Sequence, residues 1–110
     1  METYNVQFLQ EALDDLEEIV LYIAGDSRQA ALRMHDKVVE RANDLATFPK
    51  CGRIVPDKKM MAAGYRILEV KPYIAFYRVI EHDVFIYRML HGATNYPLLY
   101  EKMTSGLSDK

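Results

Sequence analysis

The chain has 110 residues, half of them hydrophobic, and a formal net charge of −2. That length suits one domain with one core, which we predict over residues 1–103, followed by a flexible tail over residues 104–110. The pI near 5.9 argues against an extended phosphate-tracking surface, because such domains usually have a pI above about 9. Without an apolar run of roughly 18 residues, a secretory signal or a second cysteine, the chain is expected to be cytoplasmic, with no membrane contact.

The N-terminal region predicts a strand and then a helix. Tyr4, Val6 and Phe8 alternate with polar residues, which is the period of a half-buried strand. From Leu9 onward apolar residues recur every three or four positions, so this segment predicts an amphipathic helix that ends at Gly25. The other face of this helix is expected to carry acidic residues: Glu11, Asp14, Asp15, Glu17 and Glu18.

A second helix is expected directly after the first. Asp26 or Ser27 can cap it, its apolar positions step by three or four from Ala31 to Phe48, and Pro49 prevents its continuation. Because the joint between the two helices is short, they should form an antiparallel αα-hairpin. Residues 50–64 lack periodicity and contain Gly and Pro, which predicts a surface connection.

The last third of the chain contains three runs rich in β-branched and aromatic residues, from residue 66 to residue 90. The breaks between them are too short for crossover helices, so the strands should form an antiparallel three-stranded meander. The N-terminal strand is expected to join this sheet and the helices to cover it. Residues 96–103 predict a short terminal helix. The predicted fold class is therefore α+β.

Charges are unevenly distributed along the chain. Residues 1–27 contain seven acidic residues and no Lys or Arg, whereas residues 50–71 contain six basic residues against Asp57 and Glu69. This pattern indicates either two oppositely charged interaction surfaces or simply a solvated acidic helix face and a basic loop.

Arginines on the meander are the first candidates for a binding site. Arg66 shares the apolar face of its strand, where its guanidinium either reaches solvent at the strand end or is held by a partner. A fixed guanidinium binds phosphates and carboxylates well. Arg78 and Arg88 lie on the next two strands, so the sheet presents a row of guanidinium groups, unless these side chains pair with Glu69 and Glu81 across the strands.

His91 ends the third run just before Gly92, where a rigid strand gives way to a loop. A neutral imidazole there can act as a general base or acid near neutral pH, although a lone His is more often a turn residue. Tyr96 and Tyr100 follow, and they would either stack on a nucleic-acid base or pack the terminal helix against the sheet.

A metal-nuclease motif is also present in outline. Pro56-Asp57, eleven residues and then Glu69-Val70-Lys71 have the form of the PD-(D/E)xK signature, in which two carboxylates hold Mg²⁺. The pattern fixes few positions and Asp57 lies in an irregular segment, so no metal site is predicted.

Five short motifs follow one another in a specific order. Tyr-x-Val-x-Phe is followed by Ala-Leu-x-x-Leu, then Leu-x-x-Phe-Pro-x-x-Gly-Arg at residues 45–53, Tyr-Arg-Ile-Leu-x-Val, and finally Leu-His-Gly. This order, from Tyr4 to about Tyr100, resembles the RelE/ParE toxin superfamily of bacterial toxin–antitoxin systems. The resemblance implies a microbial-ribonuclease-like fold and a cognate antitoxin whose extended or helical segment wraps the toxin.

The superfamily has two branches, and the residues at its functional positions differ between them. In the branch that cleaves messenger RNA on the ribosome, Lys and Arg cluster on the sheet and a Tyr or His often lies near the C-terminus. The resemblance implies that Arg66 and Tyr100 match that pattern and that His91 could compensate for missing cations. Other residues stand where that branch would carry Lys or Arg: Leu68, Ile74 and Thr94. The long hairpin and the sparse cations are more similar to the ParE branch, which poisons DNA gyrase through protein contacts.

We therefore expect a ParE-like toxin that binds a cognate antitoxin and inhibits gyrase. The alternative is a ribosome-dependent, metal-independent messenger RNA endonuclease with Arg66, His91 and Tyr100 as catalytic residues, and a further alternative is a non-toxic relic of the fold. Contacts to phosphate or to a partner are expected from Arg78, Arg88 and Arg53. No metal or cofactor is expected. The antitoxin should bind between the αα-hairpin and the sheet edge, in a hetero-oligomer, and a homodimer is the other assembly considered.

Overall fold

Helices and strands follow one another in an α+β arrangement. The computed structural model describes residues 3–92 and 96–108. Its elements are β1 (Asn5–Phe8), α1 (Gln10–Ala24), α2 (Arg28–Thr47), β2 (Arg53–Ile54), α3 (Lys58–Ala62), β3 (Arg66–Val70), β4 (Tyr73–Ile80), β5 (Asp83–His91) and α4 (Tyr96–Ser108). None of the helices in these ranges combines the length and the apolar character needed to cross a membrane.

All the described strands lie in one sheet with the order β1-β5-β4-β3-β2. β3, β4 and β5 form the predicted antiparallel meander, and β1 joins it as the predicted sequence-distant strand, parallel to β5. β1 pairs with β5 only from Asp83 to Ile86, so the remainder of β5 lies at an edge of the sheet. The α+β class is confirmed, with β2 as one strand more than predicted.

The predicted αα-hairpin covers one face of the sheet, which we call the hairpin face. The hydroxyl of Ser27 caps α2 by accepting a hydrogen bond from the Ala30 N–H at 3.2 Å, and α2 ends at Thr47, just before Phe48 and Pro49. The core between the hairpin and the sheet contains Ala12, Leu16, Ile19, Val38, Ala42, Leu45, Leu68, Val70, Ala75, Tyr77, Val84, Ile86 and Met89.

The opposite face of the sheet, which we call the α4 face, is covered by α3 and α4. A second core lies there, formed by Val55, Met60, Tyr65, Ile67, Ile74, Phe76 and Leu99. The Tyr96 ring meets Phe76 edge-on at 5.8 Å, and the Tyr100 ring meets Tyr65 edge-on at 6.3 Å. Both tyrosines therefore pack the terminal helix onto the sheet, as one of the two interpretations of the sequence predicts.

Residues 50–64 are not the irregular connection that the sequence predicts. β2 and α3 lie within them, and Val55 and Met60 are fully buried. The carboxylate of Asp57 begins α3 by accepting a hydrogen bond from the Met60 N–H at 3.0 Å. The prediction was wrong because a helix of five residues is hardly longer than one turn and leaves no recognisable period in the sequence.

The terminal helix is longer than predicted. α4 begins at Tyr96 as expected but continues to Ser108, past the predicted end at residue 103. Thr94, one of the positions without the expected cation, lies outside the described residues.

Tyr77 links the sheet to the loop before β2. Its ring is fully buried in the hairpin-face core, and its hydroxyl accepts a hydrogen bond from the Gly52 N–H at 2.8 Å. Burial raises the pKa of the Tyr77 hydroxyl, while the Gly52 N–H acts in the opposite direction. Burial also raises the pKa of Tyr65, in the second core.

These raised pKa values predict a loss of stability at alkaline pH. A tyrosine in the unfolded chain releases its proton near pH 10, below the pKa it has in the fold, so ionisation there favours unfolding. The contribution of Tyr77 is fully present below about pH 10 and falls as the pH rises toward its folded pKa. Urea unfolding between about pH 8 and pH 11 should show a shallower decline for Tyr77→Phe than for the wild type. Equal slopes would contradict this assignment.

Candidate functional site

Arg66, at the start of β3, holds the loop that precedes β2. One guanidinium nitrogen, Nη1, donates to the backbone oxygen of Gly52 at 2.9 Å and to that of Lys50 at 3.4 Å. The side chain is half-buried. Of the two sequence interpretations, the one in which a partner holds the guanidinium is confirmed, and the partner is a loop of the protein itself.

Arg88 forms a bidentate ion pair with Asp15 of α1. Its Nε donates to Asp15 Oδ2 at 2.7 Å and its Nη2 donates to Oδ1 at 3.1 Å. Asp15 Oδ2 also accepts a hydrogen bond from the Met89 N–H at 3.0 Å. The carboxylate therefore satisfies a backbone group of β5 at a position that has no pairing partner in β1. The hydrogen bond from Asp15 is the main reason that the pKa of Arg88 is raised.

Arg78 lies between two tyrosine rings on the α4 face. Its Nε and Nη2 donate to the Tyr87 hydroxyl at 3.0 and 2.7 Å, and its Nη1 donates to the backbone oxygen of Ala63 at 3.2 Å. The guanidinium carbon lies 5.1 Å from the centroid of each of two rings, those of Tyr65 and Tyr87. Tyr100 contacts the same Tyr65 ring. Cross-strand pairing of Arg78 and Arg88 with Glu69 and Glu81 is not what the structure shows.

Arg53, on the edge strand β2, pairs with Glu69 of the neighbouring strand. Its Nη2 and Nε lie 3.1 and 3.2 Å from Glu69 Oε1. The pKa of Arg53 is raised, first by a hydrogen bond with the Tyr96 side chain and then by Glu69. The Arg53 and Glu69 side chains are 46% and 38% exposed, so the ion pair between them adds little stability.

His91 lies in a cleft between α1 and the end of β5. Its ring meets the Tyr73 ring edge-on at 5.9 Å. The cleft has a volume of about 360 Å³ and is lined by Asp15, Glu18, Ile19, Tyr22, Tyr73, Arg88, Met89, Leu90 and His91. Asp15 and Arg88 pair with each other, so an entering chain meets the exposed carboxylate of Glu18 beside the rings of Tyr22 and Tyr73.

The strand register separates the three residues proposed for RNA cleavage. Arg66 pairs with Tyr77 and Tyr77 pairs with Ile86, whereas His91 pairs with Tyr73. The separation along the strands alone is then on the order of 15 Å, at about 3.3 Å per residue. Tyr100 lies on the α4 face, away from the hairpin face to which Arg66 belongs. The fold does not bring these three side chains to one place.

The carboxylates of the metal-nuclease motif are engaged in other contacts. Asp57 caps α3, and Glu69 pairs with Arg53. Within residues 3–92 and 96–108, no group of three or more His, Cys, Asp or Glu side chains is arranged to hold a metal ion.

Asp15 is central to the structure, but the sequence pattern predicts the wrong face of α1 for it. It was expected on the solvated acidic side of α1, but it is only 9% exposed. A signal for its burial exists, because Asp15 stands three residues after Ala12 and four before Ile19, which are both core residues. Because acidic residues lie on both sides of Asp15, that spacing is hard to recognise in the sequence.

Comparison with known proteins adds to this geometry. A family model described as the ParE toxin of the type II toxin–antitoxin system parDE matches residues 6–96. Among solved structures, the chromosomal ParDE system from P. aeruginosa has 24% identity and a TM-score of 0.64, and the match covers 81% of this chain and 96% of that one.

The toxin–antitoxin complex RelBE2 from Mycobacterium tuberculosis is similar as well, with 25% identity, a TM-score of 0.57 and coverage of 81% of this chain and 98% of that one. No curated protein matches the chain. The resemblance seen in the sequence motifs is confirmed, including its ParE branch. Because the family match extends over most of its length, the chain belongs to the ParE toxin family of type II toxin–antitoxin systems.

Proposed function

We propose that this toxin arrests growth by binding a protein, DNA gyrase, and that it does not cleave RNA. The observation that carries the proposal is that each arginine on the described strands is already held within the chain. The pairs are Arg53 with Glu69, Arg66 with the carbonyls of Lys50 and Gly52, Arg78 with Tyr87, and Arg88 with Asp15. A nuclease needs preorganised cations aimed at the charge that develops on the scissile phosphate.

The positions at which the RNA-cleaving branch would carry Lys or Arg support the same conclusion. Leu68 and Ile74 are 1% and 2% exposed and belong to the two cores, so neither position faces a substrate. The chain is also mildly acidic, with a pI near 5.9. A toxin that binds the dense phosphate surface of the ribosome would gain affinity from a basic surface.

A ribosome-dependent endonuclease is the second candidate. Two observations favour it: the likeness to the RelBE2 complex, and the placement of His91 and Arg88 in one cleft. In that case Arg66 and Tyr100 would have to act through a rearrangement that brings them to His91.

Expression without an antitoxin separates these candidates. Gyrase poisoning is expected to produce DNA breaks and an SOS response while messenger RNA stays intact. Codon-positioned cuts in transcripts, abolished by His91→Ala, would replace the proposal with the nuclease. Unimpaired growth would identify a non-toxic relic. His91→Ala is the cleaner variant, because Arg66→Ala also releases the loop at Lys50 and Gly52.

We infer that a cognate antitoxin binds the cleft between α1 and the end of β5. The P. aeruginosa structure is of a ParDE system and the Mycobacterium structure is a toxin–antitoxin complex, which supports an antitoxin partner here. β5 extends beyond β1 as far as His91, and a sheet edge of this kind accepts an added strand. The exposed carboxylate of Glu18 in the cleft lining fits an extended segment with a basic side chain.

Tyr22 provides the test of this surface. It lines the cleft and is 81% exposed, so it is available as an aromatic anchor for the antitoxin. Tyr22→Ala is expected to raise the Kd for the cognate antitoxin about tenfold or more in calorimetry. Leu32→Ala, at an exposed position on α2, is the matched control and should leave the Kd unchanged. An unchanged Kd for Tyr22→Ala would place the antitoxin elsewhere.

A further inference from the structure

A second cleft lies between α3 and α4, on the α4 face of the sheet, and we call it the α3–α4 cleft. Its volume is about 510 Å³, compared with about 360 Å³ for the cleft between α1 and the end of β5. One wall comes from the start of α3 and the residues just before it, and the other comes from the first turns of α4. Ligand pockets usually have volumes of about 300–1,000 Å³, so the α3–α4 cleft can admit a few side chains of a partner.

The apolar part of the cleft lining is rigid. It consists of Pro56, Pro97 and the half-buried ring of Tyr100. Prolines lose no rotamer freedom on binding, and the Tyr100 ring is already held edge-on against Tyr65 at 6.3 Å. Contacts with such side chains cost little conformational entropy, so this part of the lining is suited to an apolar group of a partner.

The charged part of the cleft lining contains more available cations than anions. Lys58 and Lys59 line the cleft and are exposed, and within residues 3–92 and 96–108 neither lysine forms an ion pair. The carboxylate of Asp57 is used as the cap of α3, where it accepts the Met60 N–H. Glu101 is the other acidic residue of the lining. Two ammonium groups are therefore set against one carboxylate, at the edge of the apolar part.

We propose that the α3–α4 cleft holds an acidic segment of the toxin's protein target. An apolar side chain of that segment lies against the prolines and Tyr100, and a carboxylate of the segment lies at the two lysines. This inference rests on the proposed function, because it assigns a surface to the contact with gyrase. A nucleic acid fits less well, since it carries a charge at every phosphate and would meet Glu101, whereas a protein segment can place one carboxylate at the lysines.

The α3–α4 cleft and the cleft proposed for the antitoxin lie on opposite faces of the sheet. α3 and α4 pack on the α4 face, whereas Ile19 and Tyr22, which line the antitoxin cleft, belong to the hairpin that covers the other face. Substitutions in the α3–α4 cleft should therefore leave the antitoxin cleft intact. The two proposed contacts can be tested separately.

A charge reversal in the α3–α4 cleft provides the first test. Lys58→Glu with Lys59→Glu replaces both cations, and α3 should persist because glutamate is favourable in the first turn of a helix. Arg28→Glu with Arg33→Glu, at exposed positions of α2, changes the net charge equally and is the control. Each purified full chain is checked by circular dichroism and urea unfolding and is then titrated into supercoiling assays with purified DNA gyrase.

A second substitution should act in the opposite direction. Glu101→Gln removes the carboxylate that opposes an acidic segment, and Glu40→Gln, at an exposed position of α2, is its control. We expect the lysine reversal to need at least about tenfold more protein for half-inhibition and Glu101→Gln to need about half as much as the wild type. Both controls should behave as the wild type.

Inhibition by the folded lysine reversal at wild-type concentrations would overturn the inference and leave the proposed function intact. Weaker inhibition by Glu101→Gln than by the wild type would overturn it as well, because an acidic segment gains from that change. Binding of naked plasmid DNA by the wild type, lost in the lysine reversal, would replace the inference with a nucleic-acid contact.

Failure of the wild type to inhibit gyrase would overturn the proposed function, and growth arrest in bacteria then decides the inference. Arrest with intact transcripts that is lost in the lysine reversal and kept in the Arg28 and Arg33 control supports an acidic segment of another protein target. Arrest that the lysine reversal retains, arrest with cut transcripts, or normal growth with the wild type overturns the inference.

Discussion

Asp15→Ala is expected to lower the free energy of unfolding by about 3 kcal/mol. The Asp15 carboxylate is buried and accepts three hydrogen bonds, two from Arg88 and one from the Met89 N–H. Its removal leaves a guanidinium and a backbone N–H without that partner. The loss should be near the lower end of the range for broken buried ion pairs, because the Arg88 side chain is 28% exposed and can be partly solvated.

Urea denaturation measures this loss, with Glu18→Ala as the control. Glu18 carries the same charge on the same helix but is exposed, so its removal should change stability by less than about 0.5 kcal/mol. Asp15→Leu combined with Arg88→Met should recover most of the loss, since an apolar pair replaces the ion pair without leaving a charge behind. If Asp15→Ala costs less than about 1 kcal/mol, the ion pair does not fasten α1 to β5 as described.

Gly52→Ala is expected to cost about 3 kcal/mol. A Cβ atom at this position would lie 2.5 Å from the backbone oxygen of Ile67 and 2.5 Å from the Tyr77 hydroxyl. The first of these groups belongs to a strand and cannot move away cheaply. Displacing the loop would also weaken the hydrogen bonds of Gly52 to Tyr77 and Arg66.

Gly25→Ala is the matched control for this substitution. A Cβ atom at Gly25 would lie 3.4 Å from the nearest atom, the Tyr22 oxygen, and the backbone there is right-handed helical with φ of −61°. An alanine fits that conformation and should stabilise the fold by about 0.4–1 kcal/mol. Equal stability of Gly52→Ala and the wild type in urea unfolding would show that the loop tolerates displacement.

The hairpin and the meander could be predicted because their patterns are long and local. The two helices extend over 15 and 20 residues, so the period of three to four repeats several times. The three strands follow one another with short breaks, which leaves the antiparallel meander as the only simple connection. Ser27, a cap predicted from residue type alone, performs that role.

The partners of the sheet arginines could not be predicted in the same way. Arg88 finds Asp15 from 73 positions away, and Arg66 binds loop carbonyls whose position depends on Tyr77. Such contacts depend on the folded arrangement and not on the local pattern.

These contacts also change the role assigned to the cations. Arg66, a candidate for RNA cleavage in the sequence, holds the loop that precedes β2. Tyr100, the second candidate, packs against Tyr65. Both side chains contribute to structure.

We propose that toxicity needs no nuclease chemistry from His91 and Tyr100. The most direct test is the survival of bacteria after induction of a chain that carries His91→Ala and Tyr100→Phe, compared with the wild-type chain and an empty vector. We predict the same fall in survival as with the wild type, because a toxin that acts by binding a protein needs no proton transfer from either side chain. Survival restored to the level of the empty vector, with the variant folded and present at wild-type amounts, would contradict the account.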